Sequence, residues 1–198
     1  MEFPEITTTQ VLHSIPIGEH EKVAENEWNK TFRLFGNCEI TSQKYIGSGR
    51  FDALVRYYDN DWDRYAWILV EYKRAMRWNG RNYEFDALCQ LLMYLGNFFY
   101  DVSLEGTDNF AGIITASSDH FRFVPRDVVV KIMEEFEPVW KANYRVKPNE
   151  ASNNFEIYSF VRSHYKELHE HSICVIRHSD PVRLDKIIKS IYEEWNLL

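Results

Sequence analysis

Asp52, Glu71 and Lys73 are the side chains of this sequence whose types and spacing best fit a chemical task. Two carboxylates beside one ammonium make a place for a divalent cation and for a developing negative charge, because hard cations take oxygen ligands and a fixed ammonium stabilises an anion. The flanking residues say how such a trio would be held. Phe51 to Tyr58 and Tyr65 to Arg74 read as strands, and the polar Asp59-Asn60-Asp61-Trp62-Asp63-Arg64 between them reads as a hairpin loop. Strand side chains alternate faces, so Trp67, Leu69, Glu71 and Lys73 share one face and Ala66, Ile68, Val70 and Tyr72 the other. A turn centred between Asp61 and Trp62 sets Asp52 opposite Glu71 on the same face, with Cβ atoms roughly 5 Å apart. A slip of one residue would separate them.

Two carboxylates that close, on apolar strands, repel each other, and burying an unpaired charge costs at least several kcal/mol. Lys73 offsets part of that cost, and a dication offsets more. The expectation is therefore a Mg²⁺ or Mn²⁺ site on Asp52 and Glu71, suited to phosphodiester hydrolysis, in which Lys73 orients a water or holds negative charge. The plainer reading makes each of these an edge-strand charge, with Glu71 paired to an arginine. It is the commoner explanation for any one of them, and only the three together on adjacent strands favour a site.

Around the hairpin the sequence lays out further elements. Residues 1–17 read as an N-terminal arm, and residues 18–198 as a single domain. Gly18 to Phe35 is helical, with Ala24, Trp28, Phe32 and Phe35 at helical spacing and Gly36-Asn37 as the stop. Residues 38–46 read as a strand leading to the turn Gly47-Ser48-Gly49, and Asn79-Gly80 marks another turn. Tyr83 to Phe99 is a helix with a broad apolar face. Phe110 to Thr115, Phe121 to Val124 and Ile173 to Ile176 are strands. A short Val-rich segment follows Pro125, with Pro138 as a breaker, and residues 141–154 are a loop. Phe155 to Leu168 fits either a strand entering a helix or a helix. Asp180-Pro181 starts a last helix that runs to about Trp195. Strands alternating with helices in this order predict an α/β fold, a central mixed β-sheet flanked by helices.

Three stretches in order, Gly49-Arg50-Phe51-Asp52-Ala53-Leu54-Val55, Ile68-Leu69-Val70-Glu71-Tyr72-Lys73-Arg74 and Ala87-Leu88-Cys89-Gln90-Leu91-Leu92-Met93-Tyr94, resemble the PD-(D/E)xK nuclease superfamily. That pattern has an Asp on one strand, a Glu-x-Lys on the next and often a Gln-x-x-x-Tyr helix behind them. Phe51 stands where the pattern has Pro, a position at which many members vary. The resemblance spans a motif core of about residues 47–124 and leaves 140–198 as a candidate addition. It implies a restriction-endonuclease-like fold and Mg²⁺-dependent cleavage of nucleic acid, DNA ahead of RNA. It implies that Asp52 and Glu71 bind metal, that Lys73 is catalytic, and that Gln90 and Tyr94 support the site. In such nucleases an acid of the first helix often completes the metal site. Glu21, Glu25 and Glu27 are the candidates here, and Glu25, which borders the buried face set by Trp28 and Phe32, is preferred. Arg50, Arg74, Arg77 and Arg81 flank the trio as natural phosphate contacts, and Trp78 is placed to stack on a base.

Bulk properties bound these readings. The chain has 198 residues and a net charge of -7, which counts against a protein that coats nucleic acid. Between Lys44 and Arg81, however, eight basic residues meet five acidic ones, a local excess of cations. Two rivals follow: a catalytically silent module of the same fold that binds nucleic acid or a protein, and an enzyme whose homodimer mate or partner subunit supplies basic surface. Three cysteines, odd in number and far apart, fit a reducing compartment. Neither a signal peptide nor an apolar run long enough for a membrane is visible, so an intracellular place, cytoplasm or nucleus, is expected. His164, His169, His171 and His178 cluster in sequence without a common zinc spacing. Gly47-Ser48-Gly49-Arg50 is too short for a phosphate-cradling loop.

Overall fold

The computed structural model describes residues 8–16, 20–43, 45–46, 49–78, 81–100, 107–176 and 184–197. Its elements in chain order are α1 (Thr8–Ser14), α2 (Glu21–Phe32), β1 (Asn37–Ser42), β2 (Tyr45–Ile46), β3 (Gly49–Arg50), β4 (Ala53–Tyr58), β5 (Tyr65–Tyr72), β6 (Arg77–Trp78), β7 (Arg81–Asn82), α3 (Tyr83–Tyr100), β8 (Phe110–Ala116), β9 (His120–Pro125), α4 (Arg126–Asn143), α5 (Phe155–Glu170), β10 (Ile173–Ile176) and α6 (Leu184–Glu194). Short 3₁₀ segments occupy Thr107–Asn109 and Pro148–Asn153. The expected turns at Gly47-Ser48 and Asn79-Gly80, the helix start at Asp180-Pro181 and residues 1–7 of the arm lie outside the described residues.

Six strands make one mixed sheet in the order β1-β4-β5-β8-β9-β10. Only β5 and β8 run parallel; the other neighbours are antiparallel. Parallel neighbours need a crossover connection, and α3 lies within it. Helices cover both faces of the sheet, so the chain is α/β with a central mixed sheet, as its strand and helix signals predict. On one face Ala66, Ile68, Val70 and Tyr72 of β5 share a core with Leu12 of α1, Trp28 and Phe32 of α2, and Ile188 of α6. On the other, Trp67 and Leu69 pack with Leu91 and Leu95 of α3, Ile132 of α4 and Val161 of α5. A strand covered on both sides is apolar on both sides, which accounts for the unbroken run Ala66 to Val70.

Two segments differ from the sequence reading, and a third that it left open is a helix. The expected arm contains α1, and Val11, Leu12 and Ile15 are buried in the first core. Pro138 does not break α4, which runs through it to Asn143. Trp140 lies beyond the proline and packs tilted against Tyr100 of α3, ring centres 5.1 Å apart, and this packing holds the last turn despite the missing N–H. Phe155 opens α5 as a helix because the Asn154 side chain caps it, accepting the N–H groups of Glu156 and Ile157 at 3.0 and 3.2 Å. Residues 140–198 also supply both cores, through Ile157 and Val161 on one side and Ile187 and Ile188 on the other.

Candidate active site

The β4–β5 hairpin has the register that a turn between Asp61 and Trp62 demands: Ala53 lies against Val70 and Tyr58 against Tyr65. Asp59 fixes that turn, its Oδ1 accepting the N–H groups of Asp63 and Arg64 at 2.9 and 3.3 Å. Asp52 stands one residue before β4 and accepts the Tyr72 N–H at 2.8 Å through Oδ2. The edge of the hairpin thereby carries Asp52 beside Glu71. Glu71 is only 2% exposed and Lys73 8%. The Lys73 ammonium donates to Glu71 Oε1, while Glu71 Oε2 is buried with no hydrogen-bond partner among the described residues.

These three groups open into a cavity of about 600 Å³. Gln90 and Tyr94 line it from α3, Glu21 from the first turn of α2, and Gly49 and Arg50 from β3. Lys147 and Asn149 close it from the segment around Pro148–Asn153. Gly49 is required where that segment meets β3: a Cβ there would stand 2.5 Å from the Pro148 ring and 2.9 Å from Tyr94. The Tyr94 hydroxyl donates to the Arg50 carbonyl at 2.6 Å, so this side chain holds β3 in place and turns its ring to the cavity.

Burial dominates the electrostatics. It pushes the Glu71 carboxyl up to about 8; Lys73 opposes the shift and Asp52 adds to it. Asp52 is raised by burial as well, against the pull of Lys73 and the Tyr72 N–H. Glu21 is raised by burial, with Lys73 opposing. Burial works to lower Lys73, but Glu71, Asp52 and Glu21 outweigh it and hold the ammonium above its ordinary value. Asp52 and Glu71 thus share the cavity with the Lys73 ammonium, and Glu21 lines it from α2.

Of the residues singled out in the sequence, Arg50, Asp52, Glu71, Lys73, Gln90 and Tyr94 meet at the cavity. Glu25 does not line it. Its carboxylate pairs with Lys22 at 2.8 Å, accepts from Gln43 at 3.3 Å, and lines a neighbouring hollow with Asn29 and Ser42. Glu21, weighed beside Glu25, takes the place at the cavity, which it lines from the first turn of α2. Glu27 pairs with Lys30. Arg74 is exposed and outside the lining. Arg77 and Arg81 sit on the β6–β7 pair, and their side chains, with that of Trp78, lie outside the described residues. Lys147 and Asn149 escaped the sequence reading: both sit in a polar loop more than seventy residues from Lys73, and only the docking of that loop on α3 brings them in. Of the histidines, His164 contacts Glu135 at 3.1 Å and His169 contacts Arg122 at 3.0 Å, in different places; His178 lies outside the described residues.

A second buried charge cluster stands beside the first on the same face of the sheet. Glu71 pairs with Thr115 on β8, and Thr115 with Arg122 on β9. Arg122 donates to Glu84 of α3, whose other oxygen accepts from the Tyr165 hydroxyl at 3.0 Å. Burial alone would raise Glu84, but His120 and Arg122 hold it down at about 2. This cluster ties α3 to β9 and α5 and fixes the helix that carries Gln90.

No protein-family model, no curated protein and no solved structure matches this chain. Among the described residues no group of three or more His, Cys, Asp or Glu side chains is gathered so that it could hold a metal ion. Nor is any described helix long and apolar enough to cross a membrane.

Proposed function

We propose that this chain is a metal-dependent nuclease of the PD-(D/E)xK type, with a restriction-endonuclease-like fold, that hydrolyses phosphodiester bonds of DNA, with RNA as the second candidate. One observation carries the reading: a buried carboxylate oxygen, Glu71 Oε2, has no partner and shares a cavity with a second carboxylate and a lysine. An oxygen in that state lacks a hydrogen-bond donor although Lys73 sits on its twin, and the carboxylate oxygens beside it are the ligands Mg²⁺ or Mn²⁺ prefers. Asp52 and Glu71 would hold the ion, with Glu21 in reach of its water shell. Two carboxylates suffice, because Mg²⁺ keeps several waters and takes the substrate's phosphate as a further ligand. Bound there, such an ion supplies charge that polarises the phosphodiester and acidifies a water.

The chain's own groups divide the remaining work. The Tyr72 N–H fixes the Asp52 carboxylate. Lys73 is held protonated by its three acidic neighbours, so at neutral pH it acts as a cation that stabilises charge on the phosphoryl oxygens rather than as the base. Gln90 lines the cavity, and its amide, which both donates and accepts, would orient the attacking water. Arg50 and Lys147 flank the cavity as phosphate contacts.

The test is cleavage of plasmid and oligonucleotide substrates with Mg²⁺ or Mn²⁺, comparing the native chain with Lys73→Ala. The expected result is cation-dependent cleavage that falls by about 10²–10⁴-fold in the variant. Binding of nucleic acid without cleavage under any of these cations would replace the enzyme by a silent module of the same fold.

A further inference from the structure

The active-site cavity and a second hollow are lined by the same two elements, α3 and the Pro148–Asn153 segment. On α3 the lining passes one turn back from Gln90 to Asp86, about 6 Å along the helix axis. On the other side it passes from Asn149 to Ser152 and Asn153. The second hollow, of about 330 Å³, is further bounded by Asn82, Phe85 and Tyr158. The two hollows differ in chemistry. The first carries Arg50, Lys73 and Lys147; the described lining of the second includes no Lys or Arg, and offers aromatic faces, amides and a carboxylate instead. Phosphates belong in the first and are repelled by Asp86 in the second. A nucleobase belongs in the second: its flat face stacks on an aromatic ring and its edge meets amide and carboxylate groups. Phe85 and Tyr158 stand with ring centres 4.7 Å apart, and Tyr158 is 39% exposed at the edge of the hollow that both line. Phe155, next to it at the start of α5, is 81% exposed and extends the aromatic surface. In a duplex each base is already stacked and paired, so such a subsite acts only on an unpaired strand.

Resting on the nuclease reading, we propose that the two hollows between α3 and residues 147–158 form a track for an unpaired nucleic-acid strand. The cavity at Asp52 and Glu71 takes the scissile phosphate, and the hollow at Phe85 and Tyr158 takes a base next to it. The substrate class is then single-stranded nucleic acid, or the unpaired part of a structured one.

Fluorescence anisotropy with a labelled single-stranded oligonucleotide and the same sequence as a duplex tests this, with Ca²⁺ replacing Mg²⁺ to slow turnover. The single strand should bind at least about tenfold more tightly than the duplex, the order of effect one base stacked on an aromatic ring provides. Tyr158→Ala should lose about tenfold of the single-strand affinity only, Tyr158→Phe should keep it, and both should melt as the native chain does. With Mg²⁺, Tyr158→Ala should raise KM for the single strand and leave kcat in place. Equal affinity for duplex and single strand, or a Tyr158→Ala variant that binds the single strand as the native chain does, overturns the proposal and assigns the exposed rings to a protein partner. Duplex cleavage that Lys73→Ala abolishes would then leave the nuclease reading standing. Loss of single-strand binding in Tyr158→Ala, in a protein that cleaves nothing, would instead keep the track and remove the nuclease.

Discussion

With one oxygen on Lys73 and the other facing no donor, the buried Glu71 carboxyl holds its proton well past the usual carboxylate range. Its folded pKa of about 8 lies above the ordinary 4.5, so the native state binds the proton more strongly than the unfolded chain does. The stability this contributes is whole below about 4.5, declines as pH rises, and is lost once pH passes about 8. Asp52, also raised, acts in the same direction. Thermal unfolding in EDTA across that window should therefore show the native chain losing stability as pH rises, while Glu71→Gln, neutral at every pH, follows a flatter profile. Parallel profiles for the two proteins would mean that Glu71 ionises normally. At this scale the sequence was informative for a local reason. Asp52, Glu71 and Lys73 sit on one hairpin, and a period of two with one turn centre is enough to bring them together. The choice between Glu21 and Glu25 was not legible, since both lie on one side of α2 and only its docking decides which reaches the cavity.

At the scale of elements, β3 and the Pro148 segment meet across Gly49 with no room for a side chain. Gly49→Val should push Pro148 away and carry Lys147 and Asn149 off the cavity. The expected outcome is a destabilisation of about 1–3 kcal/mol, the usual cost of overpacking, with a raised KM for nucleic acid. Steady-state kinetics beside a denaturant melt would check it; unchanged KM would mean that the segment is not part of the binding site. The strands and α3 were readable because burial on one or both faces writes a long apolar pattern. Helix α1 was not, because it spans only Thr8–Ser14, too short for a period to show. Helix α4 was misread at Pro138, where packing of Trp140 on α3 outweighs the proline's local preference. The cap at Asn154 lies in a run of polar residues that reads equally well as plain loop.

Over the whole molecule, a chain of net charge -7 encloses a cavity in which Glu21, Asp52 and Glu71 are balanced by Arg50, Lys73 and Lys147. A phosphate approaching such a surface meets no general attraction, so local positive charge must come from the cavity and from what it binds. The pieces that build it are spread along the chain: α2 on one face of the sheet, α3 and the Pro148 segment on the other, and the hairpin between them. Contacts of that sequence separation leave no mark in local spacing, which is why Lys147, Asn149 and the buried Glu84–Arg122 pair came only with the fold. The central claim is that Asp52 and Glu71 share one dication. Calorimetric titration of Mn²⁺ at about pH 8, close to the midpoint at which Glu71 releases its proton, tests it most directly. The native chain should bind Mn²⁺ with proton release, and both Asp52→Asn and Glu71→Gln should abolish that binding; a native chain that takes up no Mn²⁺, or variants that bind it equally well, would contradict the account.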